Sequence, residues 1–256
     1  MMEIASPYWA RNDNNFYHFR FRYYPLKRRN ILLEKVGKMA RFRNRRDAGK
    51  KLAQELLHYA NRSDVIVLAL PRGGVPVAYE VALALNVPMD IFIVRKLGLP
   101  GHEELAIGAI ASGDIRVRNE NIIRALNVPE EMINMVAQHE LQELQRREHR
   151  YRGDNPALEV HGRTVILIDD GLATGASMRA AVAGLRTQNP GRIVVAVPTA
   201  APETCESFEN EVDEIICAIT PEPFLGVGRW YEDFSQITDE GVRLFLQDVR
   251  RQLLHA

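Results

Sequence analysis

Short apolar runs, each closed by a loop of glycine or small residues, set the rhythm of this chain. Val165-Ile166-Leu167-Ile168 is too short for a helix and rich in β-branched types, which predicts a strand buried on both faces. A small-residue stretch follows over 171–176, and Ser177 to Leu185 then repeats apolar positions at helical spacing. The same strand, loop and helix recur upstream: an apolar strand over 64–70, the turn Pro71-Arg72-Gly73-Gly74-Val75-Pro76, and a helix over 77–85. Further strands are predicted over 89–94, over 192–197 with Pro198 ending it, and over 212–219. Residues 105–110 and 115–117 predict a hairpin around Ser112-Gly113-Asp114. Helices are predicted from Asp47, as cap, to about Ala60, from Pro129 to about Arg152, from Pro202 to Asn210, and from Asp239, capped by Thr238, to about Leu254. This alternation implies an α/β fold, a parallel sheet with helices on both faces and ligands at the carboxyl ends of its strands.

Three candidate sites fall at such ends. After Ile168 come two carboxylates, Asp169 and Asp170, and then Gly171-Leu172-Ala173-Thr174-Gly175-Ala176-Ser177. A small-residue loop that opens a helix offers backbone N–H groups to a phosphate, and Thr174 and Ser177 add hydroxyl donors. The aspartates would repel that phosphate; they suit the hydroxyls of an attached sugar, or waters on a divalent cation. After Leu70, the Gly73-Gly74 turn lets backbone approach a second anion, with Arg72 adding fixed charge. After Val94, Arg95-Lys96 precedes Leu97-Gly98-Leu99-Pro100-Gly101-His102-Glu103-Glu104, in which Gly and Pro punctuate a loop and His102 reads as a bystander. No Gly-Lys-Ser/Thr follows either glycine loop, which argues against a kinase or NTPase. Near the carboxyl terminus, residues 224–234 are dense in aromatics and glycine.

Charge changes the picture at the amino terminus. The net charge of zero hides a basic leader: residues 1–51 hold 14 Lys and Arg against 4 Asp and Glu, and the remainder is acidic. Residues 16–24 interleave aromatics with Arg, a composition suited to single-stranded nucleic acid or an anionic membrane surface. The plainer expectation is an N-terminal extension over 1–38, without a folded core, ahead of a domain over 39–256 whose natural start is Met39. Native protein would then yield no peptide upstream of Met39 in mass spectrometry. An acidic body does not suit nucleic acid, so any such binding is expected only through residues 1–38. No run is apolar enough for a transmembrane helix and the start carries no secretory signal, which leads to an expectation of a cytoplasmic protein. Cys205 and Cys217 have no metal-ligand or redox spacing and read as small core residues in a reducing compartment.

The stretch 165–177 resembles the signature of type I phosphoribosyltransferases, which bind 5-phosphoribosyl-1-pyrophosphate (PRPP). An apolar strand, an acidic pair, Ala-Thr-Gly, a small residue and Ser carry the resemblance, which extends over residues 40–252 and is nearest to a bacterial branch of unassigned substrate. It implies that Asp169 and Asp170 hold the ribose 2- and 3-hydroxyls and reach a metal indirectly, through water and PRPP. It implies that Ala173, Thr174, Gly175, Ala176 and Ser177 hold the 5-phosphate. Arg72, Gly73 and Gly74, with Arg95 and Lys96, would hold pyrophosphate, in a loop that often carries a cis peptide among relatives. Residues 95–104 match the family's mobile loop. A hood over about 199–237 would receive the acceptor, with Phe224, Val227 and Trp230 as contacts. The implied reaction is Mg2+-dependent transfer of 5-phosphoribosyl to a nitrogen acceptor, a nucleobase, with a homodimer as the suggested assembly. Two departures stand out: Ala173 occupies the position where some purine enzymes carry Asp, and Ala106 the position of a Glu in adenine enzymes. Glu104, or Glu103, is then the candidate general acid or base. A PRPP-sensing regulator without turnover is the alternative.

Overall fold

The computed structural model describes residues 7–10, 18–21 and 41–253, and the chain divides into two units, residues 1–40 and 41–256. In the first, β1 (Pro7–Ala10) and β2 (His18–Phe21) pair antiparallel, Pro7 opposite Phe21. The rest of the expected N-terminal extension, and its aromatic-arginine run in particular, lies largely outside the described residues.

The second unit opens with α1 (Arg45–Glu55), whose N-cap is Asn44; its side chain accepts from the Asp47 backbone N–H. Asp47, expected as the cap, sits instead in the first turn, where its carboxylate also favours the helix dipole. A 3-10 turn, Leu57–Tyr59, finishes the segment. Then follow β3 (Val65–Ala69), α2 (Gly74–Leu85) and β4 (Met89–Ile91). The strand expected over 89–94 stops at Ile91. The chain leaves the sheet there and restarts at Val94 in a separate antiparallel sheet: β5 (Val94–Leu99), β6 (His102–Ala111) and β7 (Ile115–Arg118). Short α3 (Glu120–Ala125) leads to α4 (Glu130–Arg152), with Pro129 at its N-cap.

The second half alternates β8 (Thr164–Ile168), α5 (Ala176–Arg186), β9 (Arg192–Thr199), α6 (Pro202–Phe208) and β10 (Glu214–Ile219). A 3-10 turn, Val227–Trp230, and α7 (Asp239–Leu253) complete it, with the Thr238 hydroxyl accepting from the Gly241 N–H. Pro198 does not end β9 as expected. It lies beyond Ala196, the last residue paired with β8, so the ladder on that side does not need its missing N–H.

The large sheet runs β10-β9-β8-β3-β4, every pair parallel. Alternate residues of each strand feed opposite cores. Val65, Val67, Ile166, Ile168, Val194 and Ala196 face α1, α2, α4 and α7; Ile66, Leu68, Val165, Leu167, Ile193 and Val195 face α5 and α6. Burial on both faces is why these strands read as unbroken apolar runs. Strand order reverses between β3 and β8: from β3 the chain continues outward to β4, and from β8 to β9 and β10. The loops leaving β3 and β8 therefore diverge to opposite sides and leave a crevice at the strands' carboxyl ends.

Cys205 and Cys217, expected as free core residues, form a disulfide of 2.05 Å. Their separation of 12 residues gave no hint of pairing; packing of α6 beside β10 brings their Cα atoms to 6.6 Å.

Candidate active site

The crevice brings two of the three predicted loops into contact. A Cβ added at Gly73 would lie 2.0 Å from the Asp170 Oδ2, and one at Gly74 would lie 2.6 Å from the Ile168 carbonyl oxygen. Gly74 therefore meets backbone that cannot yield and Gly73 the end of a carboxylate side chain, and the turn after β3 rests directly on the acidic pair that ends β8. The Pro71–Arg72 peptide in this turn is cis. The Leu70 N–H donates to the Ile168 carbonyl at 2.8 Å, so the two loops start from adjoining strand ends.

The two aspartates are not equivalent. Asp169 accepts the Asp170 backbone N–H at 2.8 Å, and burial, then the charge of Asp170, holds its carboxyl well above the ordinary aspartate range. Burial raises Asp170 as well, but the Arg45 guanidinium opposes it: Nε donates to Oδ2 at 2.8 Å. The same guanidinium donates to the Ser235 carbonyl at 2.8 Å and stacks over the Phe234 ring with 3.8 Å to its centroid. Tyr231 donates its hydroxyl to the Asp170 carbonyl at 2.6 Å, and burial pushes that phenol above its usual value.

Beyond the acids, the loop 171–175 turns over to start α5. Gly171 is covered by Val227, whose Cγ1 lies 2.6 Å from where a Cβ would be. Gly175 has φ +73°, and a Cβ there would meet the Phe208 ring at 2.7 Å. Arg179 ties the loop from behind, donating to the Thr174 carbonyl at 2.8 Å and to the Ser207 hydroxyl, and pairing with Glu211. Thr204 donates to the Ala173 carbonyl at 2.6 Å. With those carbonyls engaged at the back, Ala173, Thr174, Ala176 and Ser177 remain exposed on the loop's outer surface, an arrangement that offers N–H and hydroxyl donors to an anion.

The other expected residues are placed differently. Arg72 turns its guanidinium toward Asp239 at 3.5 Å, at the start of α7. Arg95 is held by Glu140 on α4, with Glu143 at 4.0 Å. Residues 95–104, expected as an open mobile loop, form a strand, a tight turn and the start of the next strand, with Arg95 opposite Ile110 and Leu99 opposite His102. Lys96 and Glu104 face each other across this hairpin at 3.9 Å, Lys96 half-exposed and Glu104 fully exposed. In the hood, Phe224 and Val227 are partly buried, whereas Trp230 is wholly buried and its indole N–H finds no partner among the described residues.

Comparison with known proteins fits this geometry. The family profile described as "Phosphoribosyl transferase domain" matches residues 38–225. The chain belongs to the phosphoribosyltransferase family. Two Mycobacterium tuberculosis proteins, from strains CDC 1551 and H37Rv and named provisionally as phosphoribosyl transferases, are each 40% identical to it over 218 residues. That alignment takes in 85% of this chain but 49% of each relative, so the chain spans about half the length of the curated relatives it matches. The crystal structure of TT1426 from Thermus thermophilus superposes with a TM-score of 0.73 at 40% identity, covering 81% of this chain and 98% of that one.

Sequence reasoning missed Arg45 and the role of Tyr231. One signal was available for Arg45: it and Arg46 lie in the first turn of a helix, where cations oppose the dipole, and such a placement asks for a nearby anion. Tyr231 stood within the aromatic segment but nothing distinguished it from its neighbours.

Proposed function

We propose that this phosphoribosyltransferase transfers 5-phosphoribosyl from PRPP to a nitrogen acceptor, a nucleobase, with release of pyrophosphate. The observation that supports this best is the seating of Gly73 and Gly74 on Asp170 and Asp169. It sets a glycine turn fit for pyrophosphate against an acidic pair fit for ribose, beside a helix-opening loop fit for the 5-phosphate.

In this reading Asp169 and Asp170 accept from the ribose 2- and 3-hydroxyls and orient C1 toward the hood. Backbone N–H groups of 173–177 and the Thr174 and Ser177 hydroxyls fix the 5-phosphate. Backbone groups of Arg72, Gly73 and Gly74 hold pyrophosphate, and Lys96 reaches it when the hairpin folds inward. Arg95 joins only by leaving Glu140. As the bond from C1 to pyrophosphate breaks and a nitrogen lone pair attacks C1, positive charge grows on the ribose ring, so positioning and charge stabilisation carry the rate. Glu104, carried on the same hairpin, is the candidate to move the acceptor's proton. Phe224 and Val227 would line the acceptor, with Trp230 packed behind them.

Among the described residues no three His, Cys, Asp or Glu side chains converge as a metal cluster. This donor set fits Mg2+ held chiefly by ligand oxygens, with Asp169 and Asp170 acting through water. Bound there, Mg2+ would neutralise the departing pyrophosphate.

Assembly as a homodimer and a cytoplasmic setting belong to the same proposal. Among the described residues no helix is long and apolar enough to cross a membrane. The Cys205–Cys217 bond weighs against that setting, since disulfides persist mainly in oxidising surroundings, and two free thiols in the native protein would favour it. Light scattering checks the first, and thiol titration of freshly isolated protein the second.

The decisive test is pyrophosphate release from PRPP and Mg2+ across purine and pyrimidine bases, with the Asp169→Asn/Asp170→Asn variant as control. Base-dependent release, absent from the control, is expected. PRPP binding with no release for any acceptor would favour a PRPP-sensing regulator, and no PRPP binding would overturn the reading.

A further inference from the structure

We infer that Arg45 is a positioning residue for the ribose: it holds Asp170 by one oxygen, presents the other to a sugar hydroxyl, and thereby couples ribose recognition to the hood. The inference rests on the proposed PRPP site and adds to it a residue from a different part of the chain.

Three contacts converge on one guanidinium. Its Nε donates to the Asp170 Oδ2 at 2.8 Å, Nη1 donates to the Ser235 carbonyl at 2.8 Å, and its Cζ lies over the Phe234 ring, 3.8 Å from the centroid. Only a planar, multi-donor cation can serve a carboxylate, a carbonyl and an aromatic face at once; a lysine ammonium lacks that fork. Gly73 crowds the same oxygen, since a Cβ at that position would sit 2.0 Å from Oδ2. Oδ2 is thus confined between Arg45 and the glycine turn, and Oδ1, 3.3 Å from the same position, is the less crowded oxygen that the inference gives to a ligand. Arg45 itself is buried, 8% exposed. A buried cation in the first turn of a helix is unfavourable alone, and the Asp170 carboxylate offsets that cost.

The hood holds the same residue from its other side, because the Tyr231 hydroxyl donates to the Asp170 carbonyl at 2.6 Å. Tyr231, Phe234 and Ser235 therefore reach the ribose acid directly or through Arg45. A sugar seated on Asp170 is registered by the segment that would receive the acceptor, and displacement of that segment would turn the carboxylate.

The test compares binding of ribose 5-phosphate, 2-deoxyribose 5-phosphate, 3-deoxyribose 5-phosphate and inorganic phosphate by calorimetry. The full chain is used in wild-type form and as Arg45→Met, Arg45→Lys, Asp170→Asn and the Arg45→Met/Asp170→Asn double variant. Wild type should prefer ribose 5-phosphate over one or both deoxy sugars by on the order of tenfold or more, as expected for a hydrogen bond to a charged group. Asp170→Asn identifies which hydroxyl its carboxylate holds. Arg45→Met should lose most of that same preference with inorganic phosphate binding unchanged, and Arg45→Lys should lose less. The double variant should be no worse than Asp170→Asn alone, because both changes remove one interaction.

A folded Arg45→Met that keeps the full preference would overturn the inference, and so would losses that multiply in the double variant. If Arg45→Met does not fold, Arg45→Lys decides: an unaltered preference counts against the inference and a reduced one supports it. Failure of wild type to bind PRPP or any sugar phosphate is a separate result; it removes the underlying site and this inference with it.

Discussion

Asp169 is a carboxyl in surroundings that resist its ionisation. Burial and the neighbouring Asp170 carboxylate hold its folded-state pKa well above the ordinary 3.8. A carboxyl raised in this way contributes stability below its unfolded value, and that contribution is lost as pH rises through the folded value. At neutral pH this carboxyl therefore lowers the stability of the fold relative to its contribution in acid. Asp169→Asn should raise Tm at pH 7, because the amide oxygen can still accept the Asp170 N–H, and the gain should fade as pH falls toward and below 4. A pH series of thermal melts checks the sign. The glycine turn is separable by a second pair of variants. Gly74→Ala drives a methyl to 2.6 Å from a backbone carbonyl that cannot yield, and should cost about 1–3 kcal/mol of stability in urea titration. Gly73→Ala meets a carboxylate end that can swing aside. It should cost less stability and more affinity for PRPP, measured by calorimetry on the same preparations.

Among the elements, the long connection from α4 to β8 depends on one buried ion pair. Arg152, the last residue of α4, donates through Nε to both oxygens of Asp90 at 2.9 Å, and through Nη2 to the Ile91 carbonyl at 2.8 Å. Asp90 also accepts the N–H groups of Ile91 and Leu158, so β4, α4 and the chain entering β8 meet at a single carboxylate. Asp90→Ala leaves Arg152 with Glu148 as its carboxylate partner, at 2.9 Å from Nη1, strips the Ile91 and Leu158 N–H groups of their acceptor, and should cost about 3 kcal/mol. Replacing both residues with apolar ones should cost less, and a double-mutant cycle in urea separates the two. None of this was legible in the sequence, where Asp90 reads as one polar residue inside an apolar strand. The β5–β6 hairpin was half legible for a related reason. Gly98, Pro100 and Gly101 marked a loop, but strand pairing is non-local, and residue type alone did not show that Arg95 to Gly98 would lie against Ala106 to Ile110.

At the scale of the whole molecule, residues 41–256 form a unit whose two larger cores pack on opposite sheet faces, with a small third cluster around Phe42, Ala48 and Tyr231. A chain shortened to those residues should melt at the same temperature as the full protein and bind PRPP with the same affinity, checked by parallel melts and calorimetry. Loss of either property would make residues 1–40 part of the working domain. The sequence by itself determined the α/β class, the positions of most strands and helices, and the glycine turn, acidic pair and small-residue loop. Each of those is local: burial on both faces writes an apolar run, close backbone approach writes glycine, and ligand chemistry writes adjacent carboxylates. Tertiary structure alone decided which partners those residues keep. Arg45 reaches Asp170 across 125 residues, Tyr231 reaches it across 61, and Arg95 is drawn to Glu140 across 45. A charge records no partner in the sequence, because an ion pair depends on distance in space, and the sheet's strand order sets that distance.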